Sequence, residues 1–150
     1  LSTVYSKGNI FLTTSSGVGG FINASCIDFE DENSTFDSAV CTGSGGIAYG
    51  VNTDFKFTGS IIRNSYAPIG GAFTIINESK ITLSGVTIEN VGAVSRGPSI
   101  LFSSSSEVAI TDSLFKNFNT TGIRHQSSTK AFTITGSTFT NGGNGADTIG

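Results

Sequence analysis

Phe132-Thr-Ile-Thr-Gly-Ser-Thr-Phe-Thr-Asn141 is the stretch from which the rest of the chain can be read. Phe132 and Ile134 alternate with Thr133 and Thr135, the period of a strand with one buried face. Gly136 interrupts that strand where the backbone must bend, because glycine accepts positive φ without a Cβ clash. Phe139 then turns inward, and Asn141 closes the unit. The same ten-residue form recurs upstream as Val108-Ala-Ile-Thr-Asp-Ser-Leu-Phe-Lys-Asn117, Ile81-Thr-Leu-Ser-Gly-Val-Thr-Ile-Glu-Asn90 and Phe55-Lys-Phe-Thr-Gly-Ser-Ile-Ile-Arg-Asn64. A looser copy runs from Phe29 to Ser38 with Asn33 at the bend, and a truncated one covers residues 2–6. The closing positions are Ser6, Ser38, Asn64, Asn90, Asn117 and Asn141, at intervals of 32, 26, 26, 27 and 24.

A period of this length with strand-like content means one supersecondary unit stacked on itself. A third strand follows each closing position, often opened by glycines: Gly45-Gly46-Ile47, Gly70-Gly71-Ala72, Gly97 before Ile100, and Gly122-Ile123. The expected fold is all-β, a right-handed parallel β-helix of about 5–6 rungs with about 26 residues per rung. Ile62, Ile88, Phe115 and Phe139 then form one interior column. Asn64, Asn90, Asn117 and Asn141 form a ladder at a bend, their amides bonding above and below. A β-sandwich is the alternative, but it does not require the same residue type at the same slot of every unit. Residues 1–45 read as irregular N-terminal rungs and 46–150 as regular ones. Neither end reads as capped, since residues 1–6 begin inside a copy and 142–150 run on in Gly and Asn. The expectation is a segment of a longer solenoid, or a subunit stacked end to end with others.

Composition narrows the classes. Charged residues make up 13%, about half the ~25% of ordinary globular domains. Met and Trp are absent, and no stretch carries a helical apolar period. The formal charge is −3 with Lys and Arg scattered, so the sequence has no footprint for nucleic acid. Its apolar runs are too short to span a membrane as a helix. Cys26 and Cys41, 15 apart, either form one disulfide, adding about 3 kcal/mol by loop closure, or remain two thiols. Their spacing does not suit a zinc site.

The repeat, the Asn positions and the stacked apolar slots resemble the pectin-lyase-like right-handed parallel β-helices. The segment Ile61-Ile-Arg-Asn64-Ser-Tyr-Ala-Pro-Ile-Gly70-Gly-Ala-Phe73 is similar to the paired short motifs of polymorphic outer-membrane adhesin repeats, with Ile61 in the Phe slot and Phe73 in the aliphatic slot. Lyases on this fold use calcium held by acidic residues with a basic partner. The matching candidates here are Asp28, Glu30, Asp31 and Glu32, a hard-cation cluster. Alternating strand residues point to opposite faces, however, so a solvated bulge is the better reading of these four. Asn52-Thr-Asp54 matches the first short motif of polygalacturonases. The Asp pair, His-Gly and Arg-x-Lys that this class needs do not follow: Ile76, Asn77 and Glu78 fall one rung later, and the single His125 precedes Gln126. His125 reads as a surface residue rather than a general base.

Four sequons, at Asn23, Asn33, Asn77 and Asn119, fall in expected loops or rung edges. Thr133, Thr135, Ser137 and Thr140, with Thr82, Ser84 and Thr87, make rows of small hydroxyls suited to a glycan or to ice. The reading of function is a non-catalytic extracellular or cell-surface structural or adhesive β-helix, part of a surface filament or fibre. Its partners are other rungs or subunits of the same assembly, or a glycan, and it needs no cofactor unless calcium binds the acidic cluster. The alternatives are a polysaccharide lyase or hydrolase whose catalytic rungs lie outside this segment, and a glycan- or ice-binding solenoid.

Overall fold

A computed structural model describes residues 2–93, 97–127, 129–143 and, as backbone strand, 146–149. Eighteen strands follow one another along the chain with no helix among the described residues. Every third strand belongs to the same sheet, so three sheets, each six strands deep, wrap the chain into a coil. Sheet A holds β1 (Ser2–Lys7), β4 (Ile27–Glu32), β7 (Asp54–Thr58), β10 (Lys80–Ser84), β13 (Glu107–Thr111) and β16 (Phe132–Thr135). Sheet B holds β2 (Ile10–Val18), β5 (Thr35–Ser44), β8 (Ile61–Ala67), β11 (Thr87–Ala93), β14 (Leu114–Phe118) and β17 (Thr138–Gly142). Sheet C holds β3 (Ile22–Ser25), β6 (Ala48–Val51), β9 (Phe73–Ile76), β12 (Leu101–Ser104), β15 (Ile123–Gln126) and β18 (Ala146–Ile149). All pairing is parallel, and register advances 24–27 residues per turn in sheets A and B and 22–28 in sheet C.

Register turns the sequence repeat into columns. Val4, Phe29, Phe55, Ile81, Val108 and Phe132 stack inside sheet A. Phe11, Phe36, Ile62, Ile88, Phe115 and Phe139 stack inside sheet B. The rings are in contact at both ends of that column: Phe11 stacks on Phe36 and Phe115 on Phe139, each pair with centroids 4.6 Å apart. Such burial, about 1.5–3 kcal/mol per large side chain, supplies the main drive for coiling.

Bends fall in columns too. Between sheets A and B they are Gly8, Asn33, Gly59, Gly85, Asp112 and Gly136, all with φ between 48° and 63°. Gly19, Gly45 and Gly70 turn sheet B into sheet C, and Cys26, Asn52, Glu78 and Ser105 turn C into A. The glycine after each B-to-C bend serves close packing: a Cβ on Gly46 would lie 2.0 Å from the Gly71 carbonyl oxygen.

In each of the first three turns the bends number four, because the Asn column lies within sheet B, where pairing resumes past the kink at Ser65 and Val91. Three expectations change at this level. The first member of that column is Thr13 (φ 49°), not Ser6, which points inward above Asp31. Residues 2–45 follow the same three-sheet plan as the rest, with a register shift between Ser16 and Val18. Within 142–150, residues 146–149 form a strand on β15 rather than a Gly/Asn run-on.

Candidate functional site

The outer face of sheet A carries eight of the chain's nineteen charged side chains. Strand alternation sends Asp28, Glu30 and Glu32 of β4 outward while Phe29 and Asp31 go in. Stacking then places Asp54 and Lys80 in the Asp28 column, and Lys56 and Thr82 in the Glu30 column. These side chains line a shallow cavity of about 220 Å³. Lys56 Nζ is 3.7 Å from Glu30 Oε2, and Lys80 Nζ is 2.8 Å from Glu107 Oε1. The Asp54 backbone N–H donates to Asp28 Oδ1 at 3.2 Å. Burial, followed by the neighbouring Asp28 charge, raises the Asp54 carboxyl above its ordinary value. At the rim, Lys7 Nζ sits 2.7 Å from Glu32 and the Tyr5 hydroxyl donates to the same carboxylate at 3.0 Å. Both hydrogen bonds, that from Lys7 first, hold Glu32 below the usual carboxylate range.

The acidic cluster is therefore not a bulge and does not converge. It is strand β4, and Asp31 is inside the coil, 1% exposed. There it accepts from the Ser60 hydroxyl at 2.5 Å through Oδ2, while Oδ1 has no partner. Among the described residues no three His, Cys, Asp or Glu side chains are grouped to hold a metal ion. One turn beyond Asp54 stands Lys80, not residues 76–78, and one turn before it stands Asp28.

His125 is also inside, the reverse of the surface position expected. Ile123 points inward, so His125, two residues on in the same strand, does too, and it is 2% exposed. Its ring stacks on Phe132 at 5.1 Å, with Nδ1 3.1 Å from the Ser103 hydroxyl. The two cysteines are both free: Cys26 is exposed at a bend, while Cys41 is buried beside Ser16 and the Gly45 carbonyl. Cys26 lies at the C-to-A corner and Cys41 within β5 of sheet B, so the candidate bridge is not formed.

On sheet B the Asn column is bonded along the axis. Asn64 Nδ2 donates to Asp37 Oδ1 at 2.7 Å, Asn90 Nδ2 to Asn64 Oδ1 at 3.3 Å, and Asn117 Nδ2 to Asn90 Oδ1 at 3.0 Å. Asn141 takes the same left-handed conformation, φ 50°. Of the sequons, Asn23, Asn33 and Asn77 are exposed. Asn119 is exposed as well, but its amide is tied to the Ala93 backbone, with Nδ2 donating to the carbonyl at 3.2 Å and Oδ1 accepting from the N–H at 3.0 Å.

The hydroxyl rows are regrouped. Thr58, Ser84, Thr111 and Thr135 form one outer column of sheet A, whereas Thr87 and Thr140 lie on sheet B. Ser137 belongs to a set that the sequence reading missed. Ser34, Ser60, Ser113 and Ser137 each follow a bend; Ser113 Oγ accepts from Val86 N–H, and Ser137 Oγ from Ser113 N–H. Thr53, Ser79 and Ser106 make a like series at the C-to-A corner. The signal lay in the sixth slot of the repeat, which Ser60, Ser113 and Ser137 share.

Parallel strands, bends in columns and three stacked sheets define a parallel β-solenoid. The family described as right handed beta helix region matches residues 5–150, and the chain belongs to it. No curated protein and no solved structure matches the chain.

Proposed function

We propose that the chain is a non-catalytic structural or adhesive β-helix of the extracellular space or cell surface, a rod whose role is mechanical and presentational. The observation that carries this reading is the direction of its ion pairs. Lys7–Glu32, Lys56–Glu30, Arg63–Asp37, Lys80–Glu107 and Lys116–Glu89 each join one turn to the next, and Lys130 reaches two turns back to Glu78. Charge is spent on axial cohesion. The one imidazole, which could serve as a general base, is packed against Phe132 in the core. Exposed sequons at Asn23, Asn33 and Asn77 suit a secreted, glycosylated protein.

The test incubates the protein with uronic-acid and neutral polysaccharides, with and without calcium, and follows new reducing ends and unsaturated products. No turnover is expected, and a product that disappears in Asp54→Asn would replace this reading with an enzymatic one. A second reading, glycan binding, is favoured by the unbroken Thr58–Ser84–Thr111–Thr135 column, in which Thr111 and Ser84 hydroxyls are 3.3 Å apart. Glycan retention that survives Thr111→Lys and Thr135→Lys would remove that face from consideration.

A further inference from the structure

The outer face of sheet B has a pattern that the other faces lack. Taken turn by turn, one column reads Leu12, Asp37, Arg63, Glu89, Lys116, Thr140. Beside it runs Ile10, Thr35, Ile61, Thr87, Leu114, Thr138. The four charges of the first column alternate −, +, −, + along the axis. Read backwards, they alternate +, −, +, −. A copy turned over about an axis parallel to the strands, between the third and fourth turns, therefore meets opposite charge on every charged row. Asp37 faces Lys116 of the other copy, and Arg63 faces Glu89. The second column is complementary in size under the same operation: Ile61 faces Thr87, Leu114 faces Thr35, and Ile10 faces Thr138. Large residues meet β-branched threonines instead of one another. Leu12 faces Thr140 in the same way.

We propose that this face is a self-association surface on which a second copy of the chain docks sheet to sheet, in a two-fold arrangement with turn order reversed. An isologous contact requires a self-complementary patch, and a two-fold closes at two copies. Exposure supports it: Ile10 is 72%, Leu12 63% and Ile61 40% accessible, large apolar side chains that no described residue covers. Sheet A fails the same operation. Its Asp28, Asp54, Lys80, Glu107 column would bring Asp28 against Glu107, like against like. The intrachain pairs Arg63–Asp37 and Lys116–Glu89, both 2.7 Å, remain in place and become rows of an alternating network. Six strands at ~4.8 Å by about five residues at ~3.3 Å give a footprint of about 500 Å² per copy. That lies at the low end for specific interfaces, so the dimer is a weak one that forms at high concentration. The proposal stands apart from the functional reading above.

Sedimentation of the intact chain from about 5 to 500 µM tests it, a span covering the weak end of protein association. The mass is expected to climb from 15.4 kDa toward twice that value, and less steeply in high salt. The exchange E89K/K116E preserves an ion pair within the chain but makes the column −, +, +, −, so that like faces like. The exchange D37R/R63D makes it +, −, −, + with the same consequence. Each alone is expected to leave a folded monomer, by circular dichroism and sedimentation, and the two together to restore the dimer. A wild-type chain that stays monomeric throughout overturns the proposal. So does a dimer, or a larger end-to-end species, that either folded exchange leaves unchanged.

Discussion

Asp31 shows how one residue departs from its column. It occupies the slot of Phe57, Leu83, Ile110 and Ile134 with only the Ser60 hydroxyl for a partner. A buried polar atom without a partner costs about 1–3 kcal/mol. Asp31→Leu, which rejoins the apolar column while Ser60 keeps the Thr58 carbonyl, is expected to raise stability by about 1 kcal/mol in urea unfolding. Two carboxylates give opposite pH dependences. Asn64, then Arg63 and Ser38, hold Asp37 below its ordinary value, so the unfolded chain binds that proton more tightly. Its stabilisation is present above the unfolded value near ~4 and is lost as pH falls through the native one. Burial and Asp28 raise Asp54, so native Asp54 takes up its proton first on acidification. It costs stability at neutral pH, and the cost fades as pH falls through the raised value. Asp54→Asn is therefore expected to shift the urea midpoint upward at pH 7 and not near pH 4, while Asp37→Asn shifts it downward at pH 7 with the gap closing in acid.

At the scale of elements, the glycines divide by what surrounds them. Gly85 has φ +60° and open space around a built Cβ, so its constraint is conformational alone. Gly46 faces the Gly71 carbonyl and the Ser65 hydroxyl of the turn beside it. Gly85→Ala should cost about 1–2 kcal/mol, the left-handed penalty of a Cβ. Gly85→Asn should be close to neutral, since Asn33 fills the same slot two turns earlier. Gly46→Ala should cost about 3 kcal/mol, because backbone of the neighbouring turn must move. Thermal melts of the three variants check the order, and equal losses at Gly46 and Gly85 would contradict it.

The molecule as a whole is quasi-one-dimensional: each turn contacts its neighbours, and stability is a sum over turns and the interfaces between them. Both end turns are less covered than the middle, and no described residue of 129–143 is buried. Val4, in the interior column, is 49% exposed beside an apolar hollow of about 270 Å³ that Phe21, Ile22 and Phe29 also line. Hydrogen exchange is expected to be fastest in the end strands β1, β2, β16 and β17 and slowest in β7 to β11, where Phe57, Ile62, Leu83 and Ile88 are fully buried. Uniform protection along the axis would mean that the turns open together.

The repeat alone determined the class of fold, because a 24–27-residue period of strand-like slots admits little but stacking. It also placed the bends at Gly59, Gly85, Asp112 and Gly136, where the backbone conformation is a local property of the residue. What it left open depends on which turn lies beside which. Asp28 and Asp54 become neighbours, Asp31 and His125 go inside, and Asp37, Arg63, Glu89 and Lys116 line up only through register between strands a full turn apart. In the first two turns the closing Asn is replaced by Thr13 and Ser38, so the register there could be set only by the packing of Phe11 on Phe36. Local chemistry selects a bend, but only the inward or outward sense of each strand, imposed by the common core, decides whether a side chain becomes packing, ladder or surface.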